Sequence, residues 1–376
     1  MTNHSQVFLV LVRAGLWERA GANLNLDLSS ISKDACFNKD LNDKEGWEEV
    51  YRLATEQSLL GLVLAGIETS DVKLPQELLL QWIGEVQMLE QQNKAMNQFI
   101  AELIKTLRKA DIYTLLVKGQ GIAQCYERPL WRACGDVDLL LSADNYQKAK
   151  AFLTPLADHV DSEDTSIKHL GMTIGEWIVE LHGTMHTEIS RRVNKGISEV
   201  QNNLFYRGNV RSWNNSGTTV FLPSPDNDVI LVFTHILEHF FVEGVGLRQV
   251  CDWCRLLYTY KDTLNYGLLE SRIRKMGLMR VWKSFGSMVV NALGMPQETM
   301  PMYDTRYKAK GERVLERILK SGNMGHNNDL SYRTKYSGLT YKLVALWRRL
   351  KDFAVLTLIF PIDAPKFFVH YVFRKI

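Results

Sequence analysis

The tightest constraint on this chain is a pair of aspartates one residue apart in the run Gly135-Asp136-Val137-Asp138-Leu139-Leu140-Leu141. Gly135 suits a turn, and Val137 with the three leucines supplies the apolar β-propensity of a buried strand. Side chains at i and i+2 leave a strand from the same face, so Asp136 and Asp138 converge. Like charges side by side repel, and burying them without a counter-charge is costly. A divalent cation between them resolves both problems, and oxygen-only ligands favour magnesium or manganese. Asp-x-Asp also occurs by chance at strand ends and in solvated turns, so the surrounding residues decide between the readings.

Upstream, the apolar β-type run Tyr113 to Val117 stops at Lys118-Gly119-Gln120-Gly121, and a helix-compatible stretch, Ile122 to Tyr126, follows. A strand, a glycine turn and a helix start can aim backbone N–H groups at a phosphate, although an ordinary strand-to-helix turn uses the same glycines. Downstream, Trp177 to His182 alternates so that Ile178, Glu180 and His182 share one face.

Together these residues resemble the DNA polymerase β-like nucleotidyltransferase superfamily, whose motif is a strand, a glycine turn opening a helix, then Asp-x-Asp on the next strand. More narrowly, Lys118-Gly119, Tyr126, Pro129, Arg132 and Gly135 to Leu140 are similar to the bacterial family known as uncharacterised nucleotidyltransferases, often encoded among surface-polysaccharide genes. The likeness extends to Glu180-Leu181-His182 and to the helical region from His235 to Leu257, and so covers most of the chain. The departure is Gln120, which stands where the wider superfamily has Gly or Ser.

The resemblance implies an α+β fold: a polymerase β-like palm with a small mixed sheet, flanked by N- and C-terminal helical regions. It implies transfer of a nucleoside monophosphate from an NTP to an acceptor hydroxyl or phosphate, with Mg2+ or Mn2+ held by Asp136, Asp138 and a third carboxylate, for which Glu180 is the candidate. Lys118, Gly119, Gln120 and Arg132 are the expected nucleotide-binding residues, with Lys118 and Arg132 as phosphate clamps. The alternative for Arg132 is a structural salt bridge to one of the aspartates. His182 either orients Glu180 or is a satisfied core histidine. The rival to an active transferase is a nucleotide-binding or scaffold protein of the same fold without turnover.

A second spacing points elsewhere. His235 and His239 lie one helical turn apart, and Cys251 and Cys254 follow at i and i+3, like a zinc site with its halves reversed. Yet Val229 to Phe241 and Leu247 to Tyr260 carry apolar residues at helical spacing, where cysteine is a common core residue. A further reading puts His235, His239, Arg248 and Asp252 on helices facing the catalytic cleft.

With 376 residues the chain can hold two or three packed units, divided here as a helical region 1–108, a catalytic α/β region 109–222 and a helical region 223–376. A formal net charge of +3 argues against a nucleic-acid partner, leaving a small-molecule acceptor favoured. Five cysteines read as reduced thiols, and the N-terminus lacks a signal-peptide pattern, so the expected location is cytoplasmic. Tyr341 to Ile376 joins Arg348, Arg349, Lys351, Lys366, Arg374 and Lys375 to the apolar run Phe353 to Pro361 and the aromatics Phe367, Phe368, Tyr371 and Phe373. That tail either lies on an anionic membrane surface or packs as a terminal helix.

Overall fold

Local signals set most element boundaries. In the computed structural model, which describes residues 2–18, 44–70, 72–323 and 338–375, four helices precede the first strand: α1 (Asn3–Leu16), α2 (Lys44–Glu56), α3 (Leu60–Glu68) and α4 (Gln76–Lys109). Thr2 caps α1 by accepting from the Ser5 amide. Pro75 precedes the long α4, with Glu77 in its first turn and Arg108 and Lys109 in its last, charges that suit the helix dipole. α1 and α3 approach closely at glycines: a Cβ on Gly15 would sit 1.9 Å from the Leu62 carbonyl oxygen.

A five-stranded mixed sheet follows, from β1 (Leu115–Val117), β2 (Asp136–Leu140), β3 (His159–Val160), β4 (His169–Ile174) and β5 (Trp177–His182), with α5 (Gly119–Ala123) after β1 and α6 (Ala143–Leu153) after β2. The strand order is β1-β2-β5-β4-β3; β2 and β5 run parallel and every other neighbouring pair is antiparallel. After α7 (Arg191–Arg207), the hairpin β6 (Val210–Asn215) and β7 (Thr218–Pro223) packs beside β1. Its turn, Ser216-Gly217, has positive φ at both residues, as a tight two-residue hairpin requires. The VRSWNN sequence of β6 shows no apolar alternation, and only its partner β7 is legible as a strand from the sequence.

Helices then complete the chain: α8 (Pro225–Val242), α9 (Leu247–Thr259), α10 (Tyr266–Met276), α11 (Met279–Leu293), α12 (Lys308–Ser321), α13 (Gly338–Ile359) and α14 (Asp363–Lys375). Ser224-Pro225 opens α8 with proline in its first turn.

Two cores result. One face of the sheet buries Val137, Leu139, Leu170, Met172, Val179 and Leu181 with Ile100, Ile104 and Leu107 of α4 and Tyr146 of α6. The helices before and after the sheet share a second core, in which Phe233, Trp253 and Trp282 meet with ring centroids 4.7 to 5.0 Å apart. The Trp17 indole nitrogen donates to the Leu293 carbonyl at 2.7 Å, tying the residue after α1 to the end of α11. No helix among the described residues is long and apolar enough to cross a membrane.

Candidate active site

The sheet register assembles the site. β2 places Asp138 opposite Glu180 on β5, while β4 places Gly171 opposite Glu180 and His169 opposite His182. Period-two alternation puts Asp136, Asp138, Glu180, His182 and His169 on one face, opposite the packed core. One carboxylate oxygen from each of Asp136, Asp138 and Glu180 lies within 4.8 Å of the others. Above them opens a cavity of about 670 Å³, lined also by His235 and His239 of α8, by Arg248 and Asp252 of α9, and by Arg132.

Lys118 is the residue the geometry strains. It follows β1 with φ +56° and ψ −145°, a region that L residues rarely enter, and Gly119 comes next at φ +39°. Such conformations cost on the order of 1–3 kcal/mol and persist where the surroundings hold them. Here the gain is an ion pair: Lys118 Nζ lies 2.6 Å from Asp138 Oδ1. Burial acts to lower the lysine pKa, but Asp138, Glu180 and Asp136 outweigh it and hold the ammonium charged. At Gly119 a Cβ would meet Cys134 Sγ at 3.1 Å, which with the positive φ reserves the position for glycine.

The carboxylates do not titrate alike. The charge of Asp138, and then burial, raises the pKa of Asp136. Burial pushes Glu180 upward too, yet hydrogen bonds from His169 and His182 and the charge of Lys118 hold it well below the carboxylate range. His182 Nε2 lies 2.7 Å from Asp138 Oδ1 and 3.4 Å from Glu180 Oε2; burial opposes its protonation, and these two contacts reverse the sign and raise its pKa. Asp136, Asp138 and Glu180 offer an all-oxygen donor set, and such a set fits Mg2+ or Mn2+.

The opposite end of the cavity differs from expectation. Arg132 pairs with neither Asp136 nor Asp138. It makes a bidentate pair with Asp252, Nε to Oδ1 at 3.0 Å and Nη2 to Oδ2 at 2.6 Å, and the Tyr126 hydroxyl donates to the same carboxylate at 2.8 Å. Among the described residues Arg132 Nη1 and Arg248 Nε have no hydrogen-bond partner, while Arg248 Nη1 donates to the Ala133 carbonyl at 2.9 Å. The Gln120 side chain does not reach the cavity. It is buried and donates to Asn93 Oδ1 of α4 at 2.6 Å, while Asn93 Nδ2 donates to the carbonyls of Leu130 and Arg132. An amide thus replaces the small turn residue because it ties the turn to α4.

His235, His239, Arg248 and Asp252 do face the cleft together. The zinc reading does not hold: α9 turns Cys251 and Cys254 into the helical core, fully buried, while α8 turns the histidines toward the cavity. Among the described residues, the groups able to hold a metal are Asp136-Asp138-Glu180 and His169-Glu180-His182. Sequence reasoning missed His169, since only the β4–β5 register shows that it stands beside His182.

Residues 43–292, more than half of the chain, match the family described as uncharacterised nucleotidyltransferase. The chain belongs to that family. The match spans every site residue named above and leaves out α1 and the helices from α12 onward. A solved structure of an antigenic nucleotidyltransferase-like protein from Paracoccidioides brasiliensis is similar at 15% identity over 53% of this chain and 92% of that one. Its TM-score of 0.32 is too low to carry an argument. No curated protein matches.

Proposed function

We propose that the chain transfers a nucleoside monophosphate from an NTP to an acceptor hydroxyl or phosphate, with Mg2+ or Mn2+ bound by Asp136, Asp138 and Glu180. The observation that carries this reading is the convergence of three carboxylates on one sheet face inside a family of nucleotidyltransferases. Bound divalent cations would offset the triphosphate charge and lower the pKa of the acceptor. The acceptor oxygen, a hydroxyl giving up its proton to water, bonds to the α-phosphorus as the bond from that phosphorus to the bridging oxygen breaks, and pyrophosphate leaves. Lys118, now on Asp138, becomes a cation for the phosphates once a dication takes its place. Arg132 Nη1 and Arg248 Nε are donors in search of an anion at the other end. A small acceptor suits a cavity of about 670 Å³ and a net charge of only +3. A role in surface-polysaccharide metabolism rests on the family resemblance.

The test is thermal denaturation with each of the four NTPs and Mg2+ or Mn2+, on wild type and the Asp136→Asn/Asp138→Asn variant, alongside a pyrophosphate-release assay over candidate acceptors. Ligand at 100 times Kd stabilises by about 2.7 kcal/mol. A metal-dependent shift in wild type that the variant lacks supports the reading. Nucleotide binding with no pyrophosphate across the acceptor panel points to the scaffold protein, and no response to any nucleotide removes the transferase.

The C-terminal hairpin supports a membrane-surface partner. Leu346, Trp347, Leu350 and Leu358 of α13 and Ile362 are exposed, while Phe353, Leu356, Phe360 and Phe367 face the body. Residues 338–375 hold seven Lys or Arg and two aspartates, and both aspartates pair with arginines of other helices. The side chains of Tyr341, Phe373, Arg374 and Lys375, with all of Ile376, lie outside the described residues. Sedimentation with anionic vesicles that Trp347→Asp does not weaken would count against this contact.

A further inference from the structure

We propose that His169, Glu180 and His182 form a second cation site, one that takes Zn2+ in preference to Mg2+. The inference stands on donor geometry and does not depend on turnover.

Two imidazoles and one carboxylate make a different donor set from the three carboxylates beside it. Imidazole suits zinc and its first-row neighbours, whereas magnesium seeks oxygen alone. Two histidines, one glutamate and an open fourth position are also a known pattern of catalytic zinc. The spacing agrees. Ligands about 2.0–2.1 Å from a tetrahedral zinc lie roughly 3.3–3.4 Å from one another. Nε2 of His169 and Nε2 of His182 lie 3.2 and 3.4 Å from the same oxygen, Glu180 Oε2. Those separations are close to the edge of a zinc tetrahedron, and without a metal the same contacts serve as hydrogen bonds to the carboxylate.

The backbone makes this convergence durable. His169 and His182 are directly paired across β4 and β5, with ring centroids 4.8 Å apart and planes 31° from parallel. Gly171 faces Glu180 from β4, and the space a Cβ there would fill is taken by Asp161, whose Oδ2 would lie 2.4 Å from it. All three donors border the cavity, with side-chain exposures of 32% for His169, 26% for Glu180 and 10% for His182, which leaves a route for the ion. Zinc would take the place of whatever proton His182 Nε2 now shares with Asp138 at 2.7 Å. Glu180 belongs to both groups, so its carboxylate would link the zinc to the Asp136-Asp138 pair.

The test uses the full chain stripped of metal, titrated with Zn2+ alone in a large excess of Mg2+, and followed by imidazole ¹⁵N shifts and by bound zinc per protein. The expected result is one zinc per chain that Mg2+ does not displace, with the Nε2 resonances of two histidines moving together. His169→Asn should weaken zinc by at least the 10–100-fold that loss of an outer partner of a metal ligand already costs. The Mg2+-dependent nucleotide shift of the zinc-free wild type should appear without the paired imidazole movement that zinc produces, which separates this site from the transferase reading. Zinc that survives His169→Asn but is lost in Asp136→Asn would place the ion on the carboxylates and overturn the proposal. So would wild-type protein that binds Mg2+ and nucleotide while its imidazole resonances ignore zinc; that measurement needs no variant to fold.

Discussion

The two ends of the cavity are built from the same kinds of residue and left unbalanced in opposite senses. At the sheet end three carboxylates face one lysine, with His182 lying between Asp138 and Glu180. At the helix end two arginines face one carboxylate, Asp252, whose oxygens are taken by Arg132 and Tyr126. The Arg132–Asp252 pair is closed and bidentate, with both side chains about 4% exposed. The sheet cluster is strained at Lys118 and holds Asp136 raised by its neighbour's charge. The Arg132–Asp252 pair is closed, with Arg132 Nη1 and Arg248 Nε left without partners among the described residues; the sheet cluster is poised for cations. That contrast separates a structural ion pair from a functional one better than burial does, since both clusters are largely buried.

The largest effect should come from breaking the closed pair. Arg132→Met leaves Asp252 buried with only Tyr126, and removing one partner of a buried pair typically costs about 3–5 kcal/mol. Urea denaturation of the metal-free protein measures it. A loss below about 1 kcal/mol, the scale of an exposed pair, would mean that the helix end is as adjustable as the sheet end, and the contrast fails.

Asp136→Asn should do the reverse. Turnover should fall by about 10²–10³-fold, the scale for losing one preorganised electrostatic group, while the metal-free protein melts no lower than wild type. The reason is that Asp136 destabilises the apo site through repulsion by Asp138. Steady-state rates beside melting curves decide it, and a variant that melts several degrees lower would make Asp136 structural.

Much of the sheet end was legible from the sequence because alternation on a strand fixes which side chains share a face. Asp136 with Asp138, and Glu180 with His182, need only period two within one strand. Whether β2 neighbours β5, and in which register, is a long-range fact, and His169 was invisible for that reason. The helix end was half legible. Helical spacing turns His235, His239, Arg248 and Asp252 toward one cleft, but the partner of Arg132 lies 120 positions away in sequence. Gln120 resembled a departure in a phosphate loop because its true partner, Asn93, lies in the middle of a 34-residue helix with no local cue. The α+β class was what the family resemblance implied. The single core that joins the helices before and after the sheet was not legible, since no local pattern shows which helices meet.

The smallest effect sharpens the sheet end alone. A carboxyl whose folded pKa lies above its unfolded value binds its proton more tightly in the native state, so its contribution is fully present at low pH and is lost as pH rises. For Asp136 that loss starts near the ordinary 3.8 and is complete above the raised folded value. Glu180 has the opposite sign: held low by its histidines, it contributes above its ordinary 4.5 and loses that contribution only as pH falls. The two oppose each other in wild type, so the informative quantity is the stability of Asp136→Asn minus that of wild type. In metal-free protein this difference should grow more positive as pH rises from about 4 toward neutrality, because only the wild type loses the Asp136 contribution. Saturating Mg2+ should erase the slope by supplying the charge that the three carboxylates lack. A difference that stays flat with pH in the absence of metal would show that Asp138 and Asp136 do not repel, and the sheet end would then be as complete as the Arg132–Asp252 pair.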